Sequence, residues 1–247
     1  MLYSERHNQI LQLLKKQKNI KVRELAKILF VSESTVRRDI TEMHRLGIIE
    51  RNRGGAVSLD IAEETSLYVR MNENTKNKEC AAVKALPHIP DFHSVFIDSS
   101  TTALALAHRL KLAYKTVVTN NLQTAMMLSK TENINLIIPG GNISSAGVSV
   151  TGSWTSKQLS TLNFDLMITS CASILNGSAY EKSLEQREIK LTVFEHSAKR
   201  IMIADNTKLN NKNAIYLYRN LSDFDLVVFD KLSDEDKEQL EGLSVIC

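Results

Sequence analysis

The decapeptide Val31-Ser32-Glu33-Ser34-Thr35-Val36-Arg37-Arg38-Asp39-Ile40 reads as the opening of a helix. Ser32 is a good N-cap, because its hydroxyl accepts an amide proton that the first turn leaves unpaired. Val36, Ile40 and Met43 then fall on one face at helical spacing, and Gly47 is a natural stop. At 100° per residue Ser34, Arg38, Thr41 and Arg45 point away from that face, with Thr35 and Arg37 on its flanks. Hydroxyls and guanidinium groups on the open face suit a DNA major groove. Arg grips guanine O6 and N7 in a fork, and Ser or Thr bonds phosphates or base edges. Asp39, an acid beside two arginines, is expected to orient an arginine within the protein rather than to approach DNA.

Two amphipathic segments precede this helix. Ile10, Leu13 and Leu14 mark the first, closed by the polar run 15–19, and Val22, Leu25, Ala26 and Leu29 mark the second. With a tight turn at Phe30 and Val31, the order is that of a helix-turn-helix. Downstream, Ile48 to Arg51 read as a strand, Asn52-Arg53-Gly54-Gly55 as a turn and Ala56-Val57-Ser58 as the returning strand. The result is a wing whose Arg51 and Arg53 reach phosphate or an adjacent minor groove. A small helical bundle with a solvated basic face is the plainer alternative, but recognition-helix chemistry and a basic hairpin coincide here in the order a winged helix requires. Ser32, Ser34, Thr35, Arg37, Arg38, Thr41, Arg45, Arg51 and Arg53 are the candidate DNA-binding residues.

Charge supports the division. Residues 1–57 hold 12 Lys+Arg against 6 Asp+Glu, whereas the other 190 hold 19 against 22. A small basic module is therefore joined to a larger, mildly acidic body, with 58–72 read as linker and 73–247 as the second domain. The chain has 9 glycines and 3 prolines in 247 residues, about 5% against a usual ~12%, which argues against disorder and against a turn-rich all-β protein. No stretch approaches the ~18 apolar residues of a membrane span, and the charged Glu5, Arg6 and His7 do not suit a signal peptide. A cytoplasmic chain without membrane association is expected. Cys80, Cys171 and Cys247 lack metal or redox spacing and are expected to be reduced and structural, with no metal or cofactor.

Beyond residue 73 short β-branched runs alternate with helical patterns. Strands are expected at 94–98, 115–119, 134–138, 164–169, 200–204 and 225–229, and helices at 74–85, 102–110, 122–129, 152–159, 184–197 and 234–240. Such alternation implies an α/β domain with a mostly parallel sheet covered on both faces. Ligands bind such folds beyond the carboxyl ends of the strands. There the sequence sets Asp98-Ser99-Ser100-Thr101-Thr102, Thr119-Asn120-Asn121, Pro139-Gly140-Gly141-Asn142 and Asp205-Asn206-Thr207-Lys208. Hydroxyls and free amides at helix starts suit phosphate. Lys208 adds a charge, and Asp98, Asn120 and Asp205 suit sugar hydroxyls. Each motif alone has a plainer reading as a helix cap, a turn or a surface pair; their shared location favours one pocket for a phosphorylated polyol or sugar.

The N-terminal segments Glu5-Arg6, Val22-Arg23-Glu24-Leu25-Ala26, the decapeptide and Gly54-Gly55-Ala56-Val57 together resemble the DNA-binding domain of the DeoR family of transcriptional regulators. The resemblance continues through Asp98-x-x-Thr101-Thr102, Thr119-Asn120, Gly140-Gly141, Gly152, Gly177, Glu188-Ile189-Lys190 and Ala204-Asp205-x-x-Lys208. It implies a sensor domain similar in fold to ribose-5-phosphate isomerase and CoA transferases, responsive to a phosphorylated sugar. It also implies a homo-oligomer, dimer or tetramer, acting on double-stranded operator DNA, with repression the family's common mode. Asp98, Ser99, Ser100, Thr101, Thr102, Thr119, Asn120, Gly140, Gly141, Asp205 and Lys208 are the effector-site candidates. The chain departs from the family pattern at Arg53, where His is common, at Ser100, where Gly is usual, and at Ser170-Cys171-Ala172-Ser173, a stretch usually rich in glycine. A sugar-phosphate isomerase fused to a DNA-binding domain is the alternative function, and a purely architectural DNA binder a third.

Overall fold

The computed structural model describes residues 3–45, 49–52, 54–57, 67–144 and 148–247; Gly47, Ile48, Arg53 and positions 58–66 lie outside them. The chain divides into two compact units, Met1–Glu73 and Asn74–Cys247.

In the first unit, helix α1 (Tyr3–Lys16) is followed by strand β1 (Asn19–Lys21), helix α2 (Val22–Leu29) and helix α3 (Glu33–Arg45). Strands β2 (Glu50–Asn52) and β3 (Gly55–Val57) form the hairpin, and helix α4 (Leu67–Asn72) ends the unit. Ile10, Leu14, Val22, Leu25, Leu29, Val36, Ile40 and Met43 make one core, as the helical spacing requires. The hairpin is joined by β1, giving the order β1-β3-β2 with antiparallel pairing. That third strand was not expected, because its three residues lie in a polar run and only Ile20 turns inward. Gly55 is fixed by this pairing: a Cβ there would strike the Ile20 carbonyl. Residues 67–72, read above as linker, are helical, and Val69 packs into the first unit's core.

The second unit runs α5 (Thr75–Ala85), β4 (Ser94–Ile97), α6 (Thr101–Ala107), β5 (Thr116–Thr119), α7 (Leu122–Leu128), β6 (Asn135–Ile137), β7 (Asn142–Ser144), β8 (Ser149–Thr151) and α8 (Ser153–Leu159). It continues with β9 (Phe164–Thr169), β10 (Ser173–Leu175), β11 (Ser178–Glu181), α9 (Leu184–Glu195), β12 (Ser197–Ala204), β13 (Tyr216–Asn220), β14 (Leu226–Phe229), α10 (Asp234–Gln239) and β15 (Val245–Ile246). Seven strands form one sheet in the order β15-β14-β12-β9-β4-β5-β6, and every neighbouring pair is parallel.

Strand alternation sends Val95, Ile97, Val117, Leu166, Ile168, Ile201 and Ile203 to one face, where alanines of α5 and α6 pack closely. Phe96, Val118, Met167 and Met202 go to the other, against α8, α9 and the small sheet β10-β11-β13. Both faces are thus covered, as an all-parallel sheet requires. The chain winds outward from the centre in two directions, β4-β5-β6 one way and β9-β12-β14-β15 the other. The reversal lies between β4 and β9, and such a switch point opens a crevice beyond the carboxyl ends of the strands.

Candidate functional site

Helix α3 carries the first candidate surface. The Ser32 hydroxyl accepts the Thr35 amide at 3.2 Å and bonds the Ser34 and Thr35 hydroxyls, each at 2.8 Å. The helix start is therefore capped by side chains that also edge the exposed face. Arg37, Arg38, Thr41 and Arg45 are all exposed. Arg37 pairs with Glu33 at 3.4 Å, Arg45 with Glu42 at 2.6 Å, and Arg51 of the wing reaches the Thr41 hydroxyl at 3.4 Å. Arg38 makes no hydrogen bond or ion pair among the described residues, and it borders a shallow hollow with Arg37, Thr41 and Glu42. Asp39 turns the other way. Fully buried, it accepts both prongs of the Arg6 guanidinium, from Nε at 2.5 Å and from Nη2 at 2.8 Å. It does orient an arginine, but one from α1 rather than either neighbour in sequence. Arg53 is outside the described residues.

The second candidate site forms at the switch point. Past Phe96, Val118 and Met167, the next residues with the same parity are Asp98, Asn120 and Thr169, so three polar side chains crown the apolar face that packs on α9. Asp98 Oδ1 accepts the Ser100 amide at 2.9 Å. Its Oδ2 accepts the Thr169 hydroxyl at 2.7 Å and the Ser170 amide at 3.0 Å, and lies 2.9 Å from Lys190 Nζ. Lys190 also donates to Glu181 at 2.6 Å and to the Ser170 carbonyl at 2.7 Å, which uses all three of its protons. Burial works against ionising Asp98, yet Lys190 and the amide donors outweigh it and hold the carboxyl below its usual range. At Glu181 burial wins and raises the carboxyl. Lys190 is raised because its two carboxylate partners outweigh its burial.

Gln186, one turn before Lys190 on α9, ties the end of β4 to the start of β8: its carbonyl accepts the Ser99 hydroxyl at 2.8 Å and its amide donates to Ser149 at 2.5 Å. Of this network the sequence marks Lys190 only as a position matching the family, and Thr169, Glu181 and Gln186 are not among its candidates. The signal was present, since Gln186 and Lys190 share the buried face of α9 with Ile189, Val193 and Phe194. Polar residues on an apolar helix face need buried partners.

Several candidates are occupied by the fold itself. Ser100 caps α6 through the Ala103 amide at 3.0 Å, and Asn121 caps α7 through the Thr124 amide at 2.8 Å. Thr119 accepts the Asn121 amide at 3.2 Å, and Asp205 accepts the Thr207 hydroxyl. Thr101 is buried at the start of α6. Gly140 bonds Gln158 through both its amide and its carbonyl, and a Cβ on Gly141 would lie 2.7 Å from the Thr151 carbonyl. That pair of glycines lets the loop after β6 lie against α8.

Two groups keep spare hydrogen-bonding capacity, one partly exposed and one buried. Lys208 Nζ donates to the Ser170 hydroxyl at 2.6 Å and to the Thr102 hydroxyl at 3.3 Å, spanning the ends of β12, β9 and β4 while staying partly exposed. Asn120 donates to the Val150 carbonyl at 3.2 Å, which fixes its amide, and its Oδ1 is a buried acceptor with no partner among the described residues. Burial pushes the neighbouring Cys171 thiol up to about 12, so it stays protonated.

The DeoR-like helix-turn-helix domain family matches residues 6–62, and the DeoR C terminal sensor domain family matches 73–231. The glycerol-3-phosphate regulon repressor of Escherichia coli is 31% identical over 93% of this chain and 92% of its own length. The HTH-type transcriptional regulator GolR of Listeria innocua is 31% identical over 83% of this chain and 82% of its own. Among solved structures, ribose 5 phosphate isomerase A from Neisseria gonorrhoeae aligns with a TM-score of 0.38 and 18% identity, over 53% of this chain and 52% of that one.

Proposed function

Because the chain belongs to the DeoR family of transcriptional regulators, we propose that it is a repressor of sugar-metabolism genes released from its operator by a phosphorylated sugar. It is a DNA-binding regulator and not an enzyme. The exposed face of α3 enters the major groove, with Arg38 reading a base and Ser32, Ser34, Thr35, Arg37, Thr41 and Arg45 fixing the helix on phosphates and base edges. Arg51 and Arg53 of the wing add backbone contacts. Operator DNA places this work in the cytoplasm, and a homo-oligomer presents paired winged helices to repeated or palindromic half-sites.

The observation that carries the sensing half is Lys208. Its ammonium is held by the hydroxyls of Thr102 and Ser170 over the switch point, partly exposed and with a third proton to offer. A phosphate there meets one cation and two hydroxyls, and Asn120 Oδ1 takes a sugar hydroxyl proton. Asp98 acts through its neighbours: by binding the Ser100 and Ser170 amides it sets the loops that carry the phosphate contacts. Ser99, Ser100, Thr101, Thr119, Gly140, Gly141 and Asp205 shape the walls. The ligand changes DNA affinity only to the extent that it binds the DNA-free arrangement more tightly. The similarity to a glycerol-3-phosphate regulon repressor supports this reading.

The test is a DNA duplex selected by the protein from random sequence, titrated with a panel of sugar and polyol phosphates. One member should release the protein, and Lys208→Gln should bind the duplex normally while requiring at least tenfold more ligand. Turnover of the sugar would instead support the isomerase, and indifference of the complex to the whole panel would remove the sensor.

A further inference from the structure

We propose that Phe30, in the turn between α2 and α3, is a further specificity-determining residue for DNA, packing its ring on the 5-methyl group of a thymine at the edge of the site that α3 reads. The assignment rests on the reading of α3 as the recognition helix; what singles out Phe30 is local.

Phe30 closes α2 in the left-handed region, at φ 54° and ψ 42°, where its amide and that of Val31 both reach back to the Ala26 carbonyl. Glycine or asparagine is favoured in this conformation, and a bulky side chain is rare there. The neighbours fix it. Leu29 is buried in the core of the first unit and Val31 packs against that core, so the ring between them is turned out and is 92% exposed. Phe30 thus combines a strained backbone with a bare aromatic ring, and at that exposure packing within the chain offsets neither. A lone exposed apolar residue needs no explanation. One held at positive φ does, and strain of this kind is retained at functional positions.

Its place in the chain supplies the partner. Only Val31 lies between Phe30 and Ser32, whose hydroxyl caps α3 and bonds Ser34 and Thr35. The ring is therefore attached at the N-terminal end of α3, the end whose residues meet base edges in a helix-turn-helix. Ser34, Thr35 and Arg38 offer hydrogen bonds there, whereas a phenyl ring has neither donor nor acceptor to place. The apolar group that a major groove displays is the thymine methyl, and phenylalanine is among the side chains that read it. Release of water from both surfaces drives such a contact.

The duplex selected by the wild-type protein tests this, with each thymine replaced in turn by deoxyuridine, which removes only the 5-methyl group. Titrations of the full chain should find one thymine whose replacement weakens wild-type binding about fourfold, the worth of one buried methyl group. Phe30→Asn should bind the unmodified duplex more weakly by about fourfold or more and be indifferent to deoxyuridine at that position. Asparagine accepts the left-handed conformation, so the melting temperature of this variant should stay level or rise. Phe30→Ala, which keeps the strain and removes the ring, should lose the same affinity. Wild-type affinity in both variants would overturn the proposal, as would a Phe30→Asn protein that keeps the wild-type response to every deoxyuridine, or one that melts at lower temperature and so marks the ring as structural. Arg38→Ala on the unmodified duplex separates the two readings. A loss there beside unaltered Phe30 variants removes the methyl contact alone, whereas no loss in any of the three removes α3 as the reading helix and the contact with it.

Discussion

On α3 the side chains of Ser34, Arg37, Arg38, Thr41 and Arg45 stand in solvent, whereas at the switch point Asp98, Asn120, Thr169, Gln186 and Lys190 are each at most 3% exposed. Similar chemistry is thus arranged in opposite ways. The α3 groups are held lightly, Arg37 and Arg45 by exposed ion pairs that solvent screens, and stay available to a polyanion. The switch-point groups bind one another in a closed network, with Lys208 partly exposed at its rim and the Asn120 acceptor unpartnered among the described residues. Polar residues near a suspected site therefore divide into those that touch the partner and those that hold the others in place. The division follows burial and bonding, not residue type.

Breaking the closed network should cost most. Lys190→Met leaves Asp98 and Glu181 buried without their shared cation, and the second unit should lose about 3–5 kcal/mol in urea unfolding, the usual cost of removing one member of a buried ion pair. A loss below about 1 kcal/mol would mean that the pair of carboxylates is not held this way. The first unit has a buried polar cluster of its own, and Asp39→Ala, which strands Arg6, should cost about 3 kcal/mol there. Asp39→Asn should retain part of that through its remaining acceptor.

These two clusters also show what was legible in the sequence. The face of α3 was readable because spacing alone separates Val36, Ile40 and Met43 from Ser34, Arg38 and Thr41. Asp39 was recognised as an internal partner, but its mate Arg6 lies 33 positions away and no local pattern announces it. The six main strands were readable from their apolar runs. The antiparallel pieces of the second unit were not, although one carried a clear mark: Asn176-Gly177, both at positive φ, make the tight turn between β10 and β11, and Asn-Gly is the strongest short hairpin signal. At the effector site, strand ends located the residues, but which would be consumed by caps and ion pairs depended on contacts across α9 that sequence order does not reveal.

A smaller effect sharpens the contrast through pH. His7 is buried beside Asp39 and Arg6; its burial outweighs the attraction of Asp39 and lowers its pKa from 6.5. The folded first unit then binds fewer protons than the unfolded chain, so stability present above about pH 6.5 is lost as pH falls below it, by at most about 1.4 kcal/mol per pH unit from this residue. Comparing wild type with His7→Gln between pH 7.5 and 5.5 isolates the contribution. Parallel curves would show that His7 is not held neutral.

The most direct test of the account concerns Arg38, the α3 guanidinium with no internal obligation. On the duplex selected by the wild-type protein, Arg38→Ala should lose about 1–3 kcal/mol of specific affinity, with relaxed preference at one base pair, while non-specific binding and thermal stability stay unchanged. Wild-type affinity and an unaltered selected sequence for Arg38→Ala would contradict the claim that this face of α3 reads DNA.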